Sequence, residues 1–258
     1  MNNLNELFRN RVGISQDAVI TFQYLDTVLK KTAETIPFEN LCIIENRTKE
    51  ISKENLASKM LQQNEGGLCY ELNTILYLFL YENGFIPSLV RGVTYNHMNQ
   101  QWSGTGNTHV VNLITHNGQA YVVDTGFGGN LPLKPVPLSG ETVASSNGEF
   151  RVERTDSEHG DYMLYMKLNR KDEDWIIDYA FNSKEPIQNI SELNEVQRII
   201  MEHPESAFNK KPLITKITDK GNITLTDTSF TQWVDRALKK ETIDEKRFHE
   251  IRKEYFNL

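Results

Sequence analysis

Cysteine is scarce in this chain: Cys42 and Cys69 are the only two in 258 residues. Two thiols cannot build a disulfide scaffold or a four-thiolate zinc site. Long apolar runs are missing too. None approaches the roughly 18–20 residues of a membrane span, and the opening MNNLNELFRN has no apolar signal-peptide core. Positive charge is in deficit, with 28 Lys and Arg against 35 Asp and Glu and a formal charge of −7. That argues against non-specific nucleic-acid binding, which needs a basic surface to release counterions. There is no internal repeat, low-complexity tract or flexible linker. Hydrophobic residues at 38% and aromatics at 10% suit an ordered core rather than a disordered chain. We therefore expect a soluble cytoplasmic enzyme or ligand binder with no membrane or nucleic-acid partner. The oligomeric state is not legible.

The hydrophobic period divides the chain in three. Residues 1–86 read as helical. Val19, Phe22, Leu25, Val28 and Leu29 recur at three- and four-residue steps. Ser52 caps a second helix carrying Leu56, Met60 and Leu61, and a third runs from about Leu68 to Gly84, its middle TILYLFLY apolar on nearly every side and so buried. Residues 87–188 turn to short strands rich in Val, Ile, Tyr and Phe: SLVRGVTY, THVVNLIT, QAYVVDTGF, DYMLYMKL and DWIIDYAF. Residues 189–258 mix a helix near Ser191–Glu202, one or two strands (PLITKIT and NITLTD), and a charged terminal helix. The fold class expected is α+β.

Two stretches carry chemistry. In Asn64–Asn73, NEGGLCYELN, two glycines lead into Cys69 at a helix start, where the partial positive charge favours a thiolate over a thiol. In Thr108–Phe127, THVVNLITHNGQAYVVDTGF, the Asn117-Gly118 pair between alternating apolar runs signals a two-residue hairpin. If those residues form the turn, His116 pairs with Gln119 and Asp124 falls opposite Val111. His109 and Asp124 then share a face as diagonal neighbours about 7–8 Å apart. A slip of one residue would put them on opposite faces. A thiolate nucleophile needs a base, and the base needs a third group to orient it. Cys69, His109 and Asp124 meet that requirement together, although each alone also fits a plainer role as buried thiol, strand-end histidine or turn residue. His97, His116, His159, His203 and His249 have no comparable partner.

The chain resembles the arylamine N-acetyltransferases over essentially its whole length. The resemblance rests on Pro37-Phe38-Glu39-Asn40-Leu41, the GGLCYELN run, Thr108-His109, Val123-Asp124 followed by GFGG, and His203-Pro204-Glu205-Ser206-Ala207-Phe208. It implies a helical bundle, an antiparallel β-barrel and an α/β lid around a cysteine-protease-like catalytic core. It implies Cys69 as nucleophile, His109 as base and Asp124 as orienting acid, with no metal. Acetyl-CoA would donate, and an aromatic amine or hydrazine would accept, by a ping-pong route through acetyl-cysteine. By the same resemblance Thr105 and Gly106 contact coenzyme A, and Phe38 and Phe127 line the acceptor pocket. Without it the first pair would be an ordinary strand connection, and the second fits core packing equally well. Competing readings are a transglutaminase- or protease-like acyl transferase and a non-catalytic arylamine binder. Cys42, in the apolar run LCII, reads as a small buried hydrophobe. One departure stands out: the family usually carries arginine before the two glycines, and this chain has Glu65. We expect another base, such as Arg91, to reorganise around it.

Overall fold

The computed structural model describes residues 3–258. The helical part comprises α1 (Leu4–Val12), α2 (Leu25–Thr35), α3 (Leu41–Ile44), α4 (Lys53–Leu56) and α5 (Cys69–Glu82), with the two-residue strand β1 (Phe38–Glu39) between α2 and α3. Ser52 caps α4 by accepting from Asn55 N at 3.2 Å, and the helix continues as a π-helical turn, Ala57–Gln62. The long apolar helix is central as expected: Leu72, Ile75, Leu76, Phe79 and Leu80 of α5 are fully covered. One expected core position is not. Val19 is 77% exposed, because the chain enters α2 through a single 3-10 turn at Phe22–Tyr24 and the helical period starts only at Leu25.

The middle of the chain forms one antiparallel sheet that is a nearly closed barrel. Its strands are β2 (Ser88–Asn96), β3 (Gln101–Trp102), β4 (His109–His116), β5 (Gln119–Val123), β6 (Val136–Pro137), β7 (Val143–Ala144), β8 (Gly148–Ser157), β9 (Gly160–Leu168) and β10 (Ile176–Pro186). The order is β6-β5-β4-β2-β10-β9-β8-β7, with β3 folded back on β2. Strand β8 was not expected from the sequence. Its exposed positions are charged and its apolar positions few, so alternation is weak there. Strand β4 shows why the barrel sits where it does. Val110 and Ile114 join the helical core, whereas Val111 and Leu113 join the barrel core, so β4 is buried on both faces between α5 and the barrel.

The last part carries α6 (Leu193–Glu202) and a second sheet of β11 (Leu213–Thr218), β12 (Gly221–Thr226), β13 (Ser229–Val234) and β14 (Ala237–Thr242), closed by α7 (Glu245–Phe256). β13 and β14 add to the one or two strands expected there. β14 is exposed along its whole length, so no buried face marks it in the sequence. Phe248, Ile251 and Phe256 of α7 pack on Ile214, Ile223, Leu225 and Phe230. This part is tied to the first where β1 pairs with β11, Phe38 opposite Thr215, and where α6 buries Leu193, Val196 and Ile200 in the helical core. Among the described residues no helix is long and apolar enough to cross a membrane.

Candidate active site

The hairpin forms in the expected register, His116 opposite Gln119 and Asn112 opposite Val123, with Asn117 and Gly118 both at positive φ in the turn. The register delivers His109 and Asp124 to the same end of the barrel. His109 Nε2 lies 3.1 Å from Asp124 Oδ2, and both residues are buried. Cys69 opens α5 and lines the same cavity as His109, its thiol donating to Thr108 O at 3.5 Å.

Asp124 has all its hydrogen-bonding capacity used. Oδ2 accepts from His109 Nε2 and, at 3.0 Å, from the Tyr179 hydroxyl; Oδ1 accepts from Asn73 Nδ2 at 2.8 Å and Gly126 N at 2.7 Å. Burial alone would raise its pKa, but the His109 charge and these bonds hold it below the ordinary carboxylate range. His109 answers in kind. Burial would lower it, yet the Asp124 charge and hydrogen bond, with Cys69 adding to them, push it up to about 10. The pair is therefore charged at neutral pH.

Asn73 sits one helical turn after Cys69, on the same face of α5. Its Nδ2 also bonds Val110 O at 2.7 Å, and its Oδ1 accepts from Thr125 N at 3.1 Å. This one amide joins α5 to β4 and to the loop after β5. The same loop closes on the nucleophile at Gly126, where an added Cβ would lie 2.7 Å from Cys69 Cα and 2.6 Å from Asn73 Nδ2. Gly66 makes a second close approach, since a Cβ there would overlap Pro37 O. Asn73 was not singled out from the sequence, although its i+4 spacing to Cys69 was a signal that could have marked it. Tyr179 carried no such signal, because its partner lies 55 residues away in a strand with no polar pattern.

The cation opposite the nucleophile loop is not the one expected. Arg91 pairs with Glu195 at 3.1 Å and takes no part. Glu65 is held instead by Arg47 at 3.2 Å and by the Cys42 thiol, which donates to its Oε2 at 3.2 Å. Burial, with the neighbouring carboxylates, pushes that thiol up to about 12, so Cys42 is inert as well as buried. Lys59, on the π-helical turn, supplies the inner cation. Its Nζ bonds Glu71 at 2.6 Å and lies 4.0 Å from Glu39. Glu71 in turn accepts from Leu68 N at 3.0 Å, closing the start of α5. The loop is thus compensated. We expect Glu65→Arg to bring no gain and to lose up to about 1 kcal/mol through repulsion from Arg47. A chemical denaturation midpoint measures this, and a more stable or faster variant would show the loop to be compromised.

Above Cys69 and His109 opens a cavity of about 630 Å³. Phe38 and Phe127 both line it, as does Phe208, whose ring meets Phe38 edge-on at 5.6 Å. Phe127 packs edge-on to the His109 ring at 5.0 Å. Thr105 lines the mouth, its hydroxyl bonded to Ser103 and Thr108. Gly106 is beside it, exposed, at φ 66 with open space around it. Among the described residues no group of three or more His, Cys, Asp or Glu stands in a metal-holding arrangement.

A cysteine on a buried helix start, facing a histidine–aspartate pair at the open end of a barrel, defines a cysteine-dependent acyl transferase or hydrolase architecture. Comparison with known proteins narrows this. The N-acetyltransferase family model matches residues 21–258. The uncharacterised acetyltransferase YvcN of Bacillus subtilis is 40% identical over 221 residues, 86% of this chain and 84% of that protein. Arylamine N-acetyltransferase C from Bacillus anthracis is 39% identical with a TM-score of 0.94, over 100% of this chain and 99% of that one. An arylamine N-acetyltransferase from Bacillus cereus, whose crystal structure is described as revealing a unique Cys-His-Glu catalytic triad, is 38% identical with a TM-score of 0.94 over the same shares. The chain belongs to the arylamine N-acetyltransferase family. It is an acyltransferase whose donor is acetyl-CoA, and the transglutaminase-like and non-catalytic readings fall away.

Proposed function

We propose that Cys69, His109 and Asp124 carry acetyl transfer from acetyl-CoA to aromatic amines or hydrazines in two half-reactions. The observation that supports this most is that Cys69 and His109 line the 630 Å³ cavity together, with the Asp124 carboxylate bonded to the imidazole. The Cys69 thiolate attacks the thioester carbonyl, and a new C–S bond forms. As the tetrahedral intermediate collapses, the bond to the coenzyme sulfur breaks, and the His109 imidazolium gives that sulfur its proton. The neutral imidazole is then the base for the second half. The amine nitrogen attacks the acetyl-cysteine, His109 takes its proton, and Cys69 leaves as thiolate, restoring the starting ion pair. The Cys69 N–H, at the first position of α5 where a helix offers no internal acceptor, is the oxyanion donor on this reading.

The acid here is aspartate, whereas the Bacillus cereus relative is described with glutamate. The shorter side chain suits a carboxylate gripped from four sides. Thr105 and Gly106 fall to the coenzyme and Phe38 and Phe127 to the acceptor ring, with Phe208 added to them. We keep residues 1–86, 87–188 and 189–258 as bundle, barrel and lid, and assign the enzyme to the cytoplasm and to xenobiotic metabolism, without nucleic-acid or membrane partners. Intact-mass measurement after mixing with acetyl-CoA alone is the test. A single acetyl adduct, mapped to Cys69, lost in Cys69→Ala and discharged by an arylamine, is the expected result; transfer that persists in Cys69→Ala would overturn the covalent route.

A further inference from the structure

β10 carries an irregularity beside the triad. Ile177 pairs with Tyr165 of β9 and Tyr179 with the next residue, Leu164, so Asp178 is the extra residue of a β-bulge. Bulges re-aim side chains beside functional sites. Here the bulge lets neighbours that would face opposite ways both turn inward: Tyr179 bonds Asp124, and Asp178 lines the cavity that Phe127 also lines. Asp178 is 2% exposed, yet neither of its carboxyl oxygens meets a hydrogen-bond partner. Asn222, on β12, lines the same cavity, is buried too, and its Oδ1 is likewise unpartnered. A buried carboxyl without a partner is costly, and the protein supplies it no donor. Lys171 lines the same cavity but forms no ion pair with it.

We infer that Asp178 selects the acceptor, as a hydrogen-bond acceptor on the cavity wall that favours amines carrying a second N–H donor. The inference rests on the two-step acetyl transfer proposed above. Burial holds the Asp178 carboxyl well above the ordinary carboxylate range, against the opposing His109 charge and with Asp124 adding to the rise. Protonated or not, the group accepts an N–H hydrogen bond. An acceptor bearing only apolar substituents leaves it unpaired, and a site with an unpaired polar group discriminates against such a ligand.

The test uses two matched pairs: 1,4-phenylenediamine against 4-methylaniline, and 1,3-phenylenediamine against 3-methylaniline. Each pair exchanges an amino group for a methyl of similar size. The ratio of kcat/KM values within a pair is compared between wild type and Asp178→Leu, so that intrinsic amine reactivity cancels. In at least one pair the ratio is expected to fall about tenfold in Asp178→Leu and to stay within about threefold of wild type in Asp178→Asn, whose amide oxygen still accepts. Ratios unchanged in Asp178→Leu, or equal losses for diamine and methylaniline alike, would mean a structural or water-bound carboxyl and overturn the inference. If Asp178→Leu does not fold, Asp178→Ala is read the same way. Absence of an acetyl adduct on wild-type Cys69 would overturn both readings together; an adduct with unchanged ratios overturns this one alone.

Discussion

Asp124→Asn is expected to lower acetyl transfer by about 10³–10⁴-fold while leaving the chain folded. The amide has the carboxylate's shape: its oxygen can keep accepting from Asn73 and Gly126, while the Tyr179 hydroxyl turns from donor to acceptor. Opposite His109, however, it presents N–H where the carboxylate presented a lone pair. Nε2 must then accept, the ring proton moves to Nδ1, and the nitrogen facing the sulfur can no longer receive a proton. The charge balance shifts with it. Asp124 is the largest influence holding His109 up at about 10 against the pull of burial. Without that charge the ring's pKa falls, and the imidazolium that protonates the departing coenzyme sulfur is depleted at neutral pH. Single-turnover acetylation of Cys69 and the pH dependence of its alkylation measure both effects, and a variant that kept a tenth of the wild-type rate would remove Asp124 from the mechanism. Stability follows the same linkage. A histidine raised from 6.5 to about 10 on folding contributes stability that is fully present below about pH 6.5 and is lost as pH rises through about 10. Asp124, lowered on folding, contributes above its unfolded value and loses that contribution as pH falls. Wild-type melting should therefore decline at both ends, and Asp124→Asn should flatten the alkaline side.

Much of this site was legible because its parts are local. The Asn117-Gly118 turn fixes the register of β4 and β5, and the register alone places His109 beside Asp124. Two glycines before Cys69 announce a close approach, which the packing of Gly66 on Pro37 supplies. What was not legible depends on partners distant in sequence. Tyr179 and Asp178 lie on a strand whose apolar alternation gives no hint of a bulge. Lys59 reaches Glu71 from a turn of π-helix, a geometry that no residue pattern marks. Arg91 was the natural guess for the missing cation, but its strand directs it to Glu195 on α6. The helical period also misled at Val19, where apolar spacing continued one turn beyond the helix that uses it.

Asn73→Ala should be more damaging to the fold than loss of the nucleophile itself. Cys69→Ala removes one sulfur from the cavity lining and costs Thr108 O only a weak thiol donor. Truncating Asn73, which is fully buried, strands several. Asp124 Oδ1 loses one of its two donors, Val110 O loses its side-chain donor, and Thr125 N loses its acceptor. Asn112, whose Nδ2 lies 3.3 Å from Asn73 Oδ1, keeps only the backbone carbonyl of residue 73. Each unsatisfied buried group costs about 1–3 kcal/mol, and more where a charge is involved. A total of about 3–5 kcal/mol is a large share of the stability of a typical chain. The loss should also appear in the chemistry of the chains that do fold. Without Asn73 the carboxylate is held less well below its ordinary range, so its grip on the imidazolium weakens. The variant should thus show a lower denaturation midpoint together with slower acetylation per folded molecule. Asn73→Asp separates the two effects: it restores an acceptor for Thr125 N but sets a second carboxylate against Asp124, so its stability and rate should both be worse at pH 8 than at pH 5. An Asn73→Ala chain as stable as wild type would show that α5 and the barrel are held together by apolar packing alone.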